Sequence, residues 1–286
     1  MSLAVTFQRP NLRARALRTS GLLWAAGSAL SLALSLQAQA QQTPGSVPVL
    51  DATRLAPTGV LRASINVGNP ILARRDASPE GAAGVSVDMA RELARRLQLP
   101  LQIVVSDSAN ASVKVVAGGG ADIGFFALDP KRAEGTRFTQ PYVQIEGSYL
   151  VRQDSPLKGN EEVDRNGIRV AVGLGSAYDL FLSRELKQAQ IVRMPTSPQV
   201  VDLFLAQSLD VAAGVRQQLE ADARRLGGLR LLPGRFMVIE QAMAVPQSHG
   251  EVAARMLDAF VGDLKQSGFV AQALARHRID GAAVAP

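Results

Sequence analysis

Cysteine is absent from all 286 residues. That excludes disulfides, thiolate chemistry and a lipid-anchored cysteine, and it is compatible with an oxidising compartment. Histidine occurs only twice, too rarely for a His-rich metal site, and no cofactor is expected. Aromatic residues make up 5% of the chain, and no Lys/Arg cluster interleaves with them, which argues against nucleic acid as a partner. There is no Ser/His/Asp arrangement and no phosphate loop. What is present is apolar material: 47% of the residues are hydrophobic, enough for one large domain or two modest ones with a real core.

The first forty residues do not read as fold. Arg9, Arg13, Arg15 and Arg18 form a basic segment without an acid, Gly21 to Leu36 is an apolar run, and Ala38–Gln39–Ala40 is a small-residue cleavage site. This is the pattern of a cleavable secretory leader, residues 1–40. The apolar run is shorter than the roughly 20 residues of a spanning helix, and no Arg-Arg pair precedes it. Subtracting the four leader arginines from the formal charge of +6 leaves +2 for the remainder, so the basic character belongs largely to the leader. Residues 41–56, rich in Pro, Gln and Thr, read as a flexible arm.

Beyond the arm the pattern is α/β. A strand is predicted over Val60–Val67, and an amphipathic helix over Val85–Leu97 with Val85, Met89, Leu93 and Leu97 on one face. A strand over Leu101–Val105, a helix over Ala111–Ala117 and a buried strand over Ala121–Ala127 follow. This β-α-β-α-β order implies a largely parallel sheet. Asp129 and Pro130 suit the cap and first position of a helical turn, which places Arg132 just past a strand's C-terminal end, where open α/β sheets bind ligands. There it can grip a carboxylate through two parallel hydrogen bonds, or lie on a solvated turn.

Val143 to Arg152 is a long extended segment. A second series then runs strand (Ile168–Val172), helix (Tyr178–Lys187), strand (Gln190–Arg193), helix (Pro198–Gln207), strand (Asp210–Val215), helix (Arg216–Leu226) and strand (Leu229–Leu232). Phe236 to Val245 is extended again, and helices over Val252–Ser267 and Phe269–His277 close the chain. Two α/β units joined by two long crossings predict two lobes with a cleft between them. The first lobe comprises residues 57–145 and 241–286, the second residues 146–240.

The segments GVLRASINVGNP, GVSVDMARELARRL, GGGADIGFFALDPKRAEGTRFTQPY and IRVAVGLGSAYDLFL, in that order, resemble family 3 of the bacterial extracytoplasmic solute-binding proteins. These are the receptors of polar amino acid ABC importers, with the two-lobed type II periplasmic binding protein fold. The resemblance covers roughly residues 57–276. It implies a periplasmic monomer that binds a small anionic or zwitterionic solute and docks an ABC permease. By the same resemblance, Arg132 clamps the ligand's carboxylate, with N–H groups of Ala127 and, across the cleft, of Gly175, Ser176 and Ala177. Phe126, Asn66 and Asn69 would complete the wall, although both asparagines suit turns equally well. A glycine-rich loop at a helix N-terminus is in any case a good anion cradle.

Departures from the family's pattern narrow the ligand. Where amino acid receptors of this family place an Asp for the ligand's ammonium, this chain has Val215 followed by Arg216. The expectation is a carboxylate solute without a free ammonium, with a second anionic group near Arg216 or with Arg216 turned to solvent. The alternative activity is an enzyme resembling cyclohexadienyl dehydratases, whose general acid would be Glu146 or Glu240; the leaning is that both are structural. A sensor domain is a third reading. His249 and His277 are expected on the surface.

Overall fold

The computed structural model describes residues 50–286; the expected leader, residues 1–40, and the first part of the arm lie outside the described residues. The expected arm is too long at its C-terminal end. Asp51 accepts the Thr53 N–H (2.9 Å) and caps a single helical turn, α1 (Ala52–Leu55), whose Leu55 is fully buried. One well-placed apolar side chain and a cap hold this segment to the fold.

The first half of the molecule contains β1 (Leu61–Asn66), a small ladder of β2 (Arg74–Arg75) and β3 (Ala82–Ala83), α2 (Val85–Leu97), β4 (Leu101–Ser106), α3 (Ala109–Ala117), β5 (Ile123–Ala127) and the short α4 (Pro130–Ala133). Helix α2 has the predicted bounds and buries the predicted face, Val85, Met89, Leu93 and Leu97. Helix α3 begins earlier than its apolar spacing suggests, because Ser108 Oγ accepts the Ala111 N–H (3.2 Å). Strand β1 lies between β4 and β5, parallel to both. The β2–β3 ladder went unpredicted: two-residue strands carry no periodicity.

Strand β6 (Thr136–Arg152) spans 17 residues and starts well before the expected crossing. The chain continues through β7 (Arg169–Gly173), α5 (Ala177–Glu185), β8 (Gln190–Met194), α6 (Val200–Ala206), β9 (Val211–Val215), α7 (Arg216–Leu226), β10 (Leu229–Leu231), β11 (Met237–Pro246), α8 (Gly250–Gln266), α9 (Phe269–Arg276) and β12 (Ala283–Val284). The sheet order is β4-β1-β5-β11-β6-β9-β7-β8. Each end is parallel; the two crossings, β6 and β11, run antiparallel to each other through the middle. Pro141 sits inside β6 opposite a shift in the β11 register at Ala242, the place in a sheet where a residue without an N–H is tolerated.

The main core runs through the first half and the crossings, and a smaller cluster around Leu150, Met194, Phe204 and Leu219 stabilises the second half. Neither histidine is a surface residue. His277 Nε2 lies 2.9 Å from Asp88, and His249 is half-buried, 4.0 Å from the fully buried Asp122. Burial pushes the His249 pKa down, against the pull of Asp122.

Candidate functional site

Strands β5 and β9 end at the same cavity between the two halves. Its wall includes Asn66, Asn69, Phe126, Ala127 and Arg132 from the first half, Ser176, Ala177, Ser197 and Val215 from the second, and Gln241 from β11. Arg132 is 5% exposed. Its Nη1 donates to Ala127 O (2.9 Å), and its Nη2 crosses the mouth to Gly175 O (3.0 Å). Among the described residues no carboxylate pairs with this guanidinium. Burial pushes its pKa down to about 10, and the charge of nearby Asp129 opposes that fall. Asp129 is itself committed: it accepts the Lys131 N–H (2.9 Å), as a helix cap should, and Arg184 Nη1 from the other half (3.0 Å). A buried cation with only carbonyl partners is expensive to keep, and an anion in the cavity would offset that cost.

Of the three expected second-half N–H groups, two already have partners. Gly175 N–H donates to Asp179 Oδ2 (2.8 Å), and Ser176 N–H to Gly173 O (3.0 Å). Ser176 Oγ caps α5 by accepting the Asp179 N–H (3.0 Å). That leaves the Ala177 N–H, at the first position of α5, without a partner among the described residues. The expected triple cradle is therefore reduced to the Ala177 N–H, because Asp179 takes the Gly175 N–H and the Gly173 carbonyl takes the Ser176 N–H. Gly175 itself has φ +68°, and an added Cβ would lie 2.7 Å from Asn110 Cβ; a glycine is what allows the halves to approach here.

In the first half, Leu128 N–H donates to Glu240 O (2.8 Å). In an antiparallel ladder adjacent residues alternate edges, so the Ala127 N–H points away from β11. Asn66 Oδ1 accepts the Gly68 N–H (2.9 Å), turn chemistry that leaves its amide nitrogen free. Asn69 Oδ1 is buried without a partner. Phe126 packs edge-on against Phe138, ring centroids 5.7 Å apart.

Arg216 is not part of the cavity wall. Its Nε donates to Glu146 (2.7 Å) and its Nη2 to Gly234 O, while Arg235 holds the other Glu146 oxygen (2.8 Å). Its partner is an acid on the crossing strand, 70 residues away in sequence, and the expected second anion site is not formed at Arg216 in this structure. Glu240 bonds Gln144 (3.1 Å) across the two crossings. Neither Glu146 nor Glu240 lines the cavity, and both hold crossing strands in place.

Ser197 lies in a 3-10 turn and lines the cavity, and three further polar side chains of the wall were missed. Gln241 is 6% exposed, and its amide has no hydrogen-bond partner among the described residues; the signal was a polar residue opening the apolar stretch Ala242–Val245 of a buried strand. Gln218 and Asp222 reach the cavity from α7. Their signal was spacing, since Val215, Leu219 and Asp222 share one helical face.

The description "bacterial extracellular solute-binding proteins, family 3" matches residues 68–278. No curated protein matches by sequence. Among solved structures, a binding component of an ABC transporter from Wolinella succinogenes, complexed with lysine, is 20% identical with TM-score 0.66, over 77% of this chain and 95% of that one. A solute receptor for L-cysteine from Neisseria gonorrhoeae is 20% identical with TM-score 0.66, over 80% and 93%. An ancestral amino acid-binding protein, described as a precursor of cyclohexadienyl dehydratase, is 17% identical with TM-score 0.64, over 76% and 94%. The chain shares their two-lobed α/β fold.

Proposed function

The chain belongs to the bacterial extracellular solute-binding proteins, family 3, and from that premise we propose that it is the periplasmic receptor of an ABC importer, binding a small carboxylate-bearing solute, an amino acid or a related organic acid, between its lobes. The observation that carries this reading is Arg132, a buried guanidinium on the cavity wall whose only partners among the described residues are two carbonyl oxygens. A solute carboxylate would replace carbonyl acceptors with a charged one, and charge-assisted pairs of this kind are roughly twice as strong as neutral hydrogen bonds. The Ala177 N–H, the Ala127 N–H and the amides of Asn66, Asn69 and Gln241 supply further polar groups. The lobes, residues 57–145 with 241–286 and residues 146–240, would close on the solute by bending at β6 and β11. The lysine- and cysteine-binding neighbours support the amino acid class. A strand end carrying Val215 in place of a carboxylate favours a solute that does not present an ammonium there.

The test is titration calorimetry on wild type and Arg132→Ala with a panel of amino acids and organic acids. Wild-type binding of at least one carboxylate, weakened about a hundredfold or more by the substitution, is expected, since a buried charged pair is strongly destabilised when one partner is removed. Unchanged affinity in Arg132→Ala would sink the site assignment.

A further inference from the structure

The cavity extends into the second half along the face of α7 that carries Val215, Gln218, Leu219 and Asp222. Asp222 lies six residues beyond the first residue of α7, about 9 Å along the axis at about 1.5 Å per residue. Arg132, by contrast, meets this half at Gly175, on its edge. Asp222 is 5% exposed. Its Oδ2 accepts Gln218 Nε2 (3.0 Å), and its Oδ1 accepts both Arg225 Nη2 (2.9 Å) and Arg225 Nε (3.3 Å). The same Arg225 nitrogen also serves Asp202 (2.9 Å). One half-exposed guanidinium thus answers two carboxylates, and an anionic surplus remains at the cavity end. The Gln218 amide oxygen has no partner among the described residues, so two acceptors converge there beside the apolar Val200 and Val201, which weaken dielectric screening.

Resting on the receptor reading above, we propose that Asp222, assisted by Gln218, is the specificity-determining end of the cleft: it takes a cationic or multiply donating group carried at the far end of a solute whose carboxylate meets Arg132. The charge pattern is one buried cation and one buried anion, separated along the cavity. That suits an ω-amino acid, a guanidino acid or the side chain of a basic amino acid, and it disfavours dicarboxylates.

The experiment is calorimetric titration of 6-aminohexanoate, 4-guanidinobutanoate, L-lysine and L-arginine against hexanoate, adipate and L-glutamate, on wild type, Asp222→Asn and Gln218→Lys. Wild type is expected to bind at least one probe with a distal cation tightest. Asp222→Asn should weaken that probe about tenfold or more, the scale of a hydrogen bond to a charged group, and more than it weakens hexanoate. Gln218→Lys, which adds a positive charge beside Asp222 and keeps the buried carboxylate, should shift preference toward adipate. Carboxylates that bind with no preference for a distal cation, an Asp222→Asn loss shared equally by hexanoate, or unchanged affinity in Asp222→Asn would overturn this inference and leave the Arg132 reading intact. Failure of every carboxylate to bind would overturn both.

Discussion

A single guanidinium carries most of the functional argument, and its environment makes separable predictions about stability and binding. Among the described residues Arg132 is buried, charged and bonded only to carbonyl oxygens, so it contributes desolvation cost without a compensating ion there. Replacing such a group with an apolar side chain of similar length removes that desolvation cost. Arg132→Met is therefore expected to match or exceed wild type in urea-unfolding stability while losing carboxylate binding; a variant destabilised by several kcal/mol would show that the arginine is structural. The pH dependence follows from the same burial. With its pKa pushed down to about 10, Arg132 is protonated throughout the neutral range and loses its charge as pH rises through that value. Carboxylate affinity attributable to Arg132 should be level up to about pH 9 and fall above about 10, which calorimetry across that range would read; affinity falling already between pH 7 and 9 would implicate another group.

Two helices show how an element can be legible while its chemistry is not. Helix α2 follows directly from its apolar spacing, and its polar face holds a local ion cluster. Arg95 donates twice to Glu92 (2.8 Å each) and Arg96 once (2.8 Å). These hydrogen bonds, Arg95's first, hold the Glu92 pKa at about 2, well below its ordinary 4.5, against an opposing desolvation effect. The resulting stabilisation is fully present above about pH 4.5 and is lost as pH falls from there toward about 2. Glu92→Gln should therefore flatten the acid limb of a stability–pH curve in that window and lower stability at neutral pH by about 1 kcal/mol, since two of the three charges are partly exposed. An acid limb identical to wild type would count against the cluster. Helix α7 also has its predicted bounds, yet its first residue, Arg216, turns to Glu146 on the crossing strand, and Asp222, two turns on, reaches the cavity. Spacing identified the faces; only the neighbouring strands determine which face meets the cavity.

At the scale of the whole molecule, the halves touch across the mouth through two side-chain links, Arg132 to Gly175 O and Arg184 to Asp129, both 3.0 Å. Arg184 is 47% exposed, so its pair is worth no more than about 1 kcal/mol, and Asp129 keeps its role as the cap of α4 without it. Under the receptor reading, Arg184→Ala should raise the dissociation constant up to about fivefold, chiefly through a faster off-rate, and increase the open population seen by small-angle scattering with solute present. A loss of a hundredfold would mean that Arg184 touches the solute itself.

The order of strands and helices, the bounds of α2 and α7, the parallel sheet ends and the two long crossings were all readable from the sequence, because apolar periodicity and caps act over a few residues. So was the placement of Arg132 at a strand end. Which donors remain free, which acid faces the cavity and which arginine is already paired were decided by the tertiary structure. Arg216's charge is taken by Glu146, while Gln241 and Asp222 come to the wall from strands and helices far from Arg132 in sequence. Hydrogen bonds and ion pairs are satisfied by whatever the fold brings within about 3 Å, and that proximity across some seventy to a hundred residues leaves no mark on local pattern.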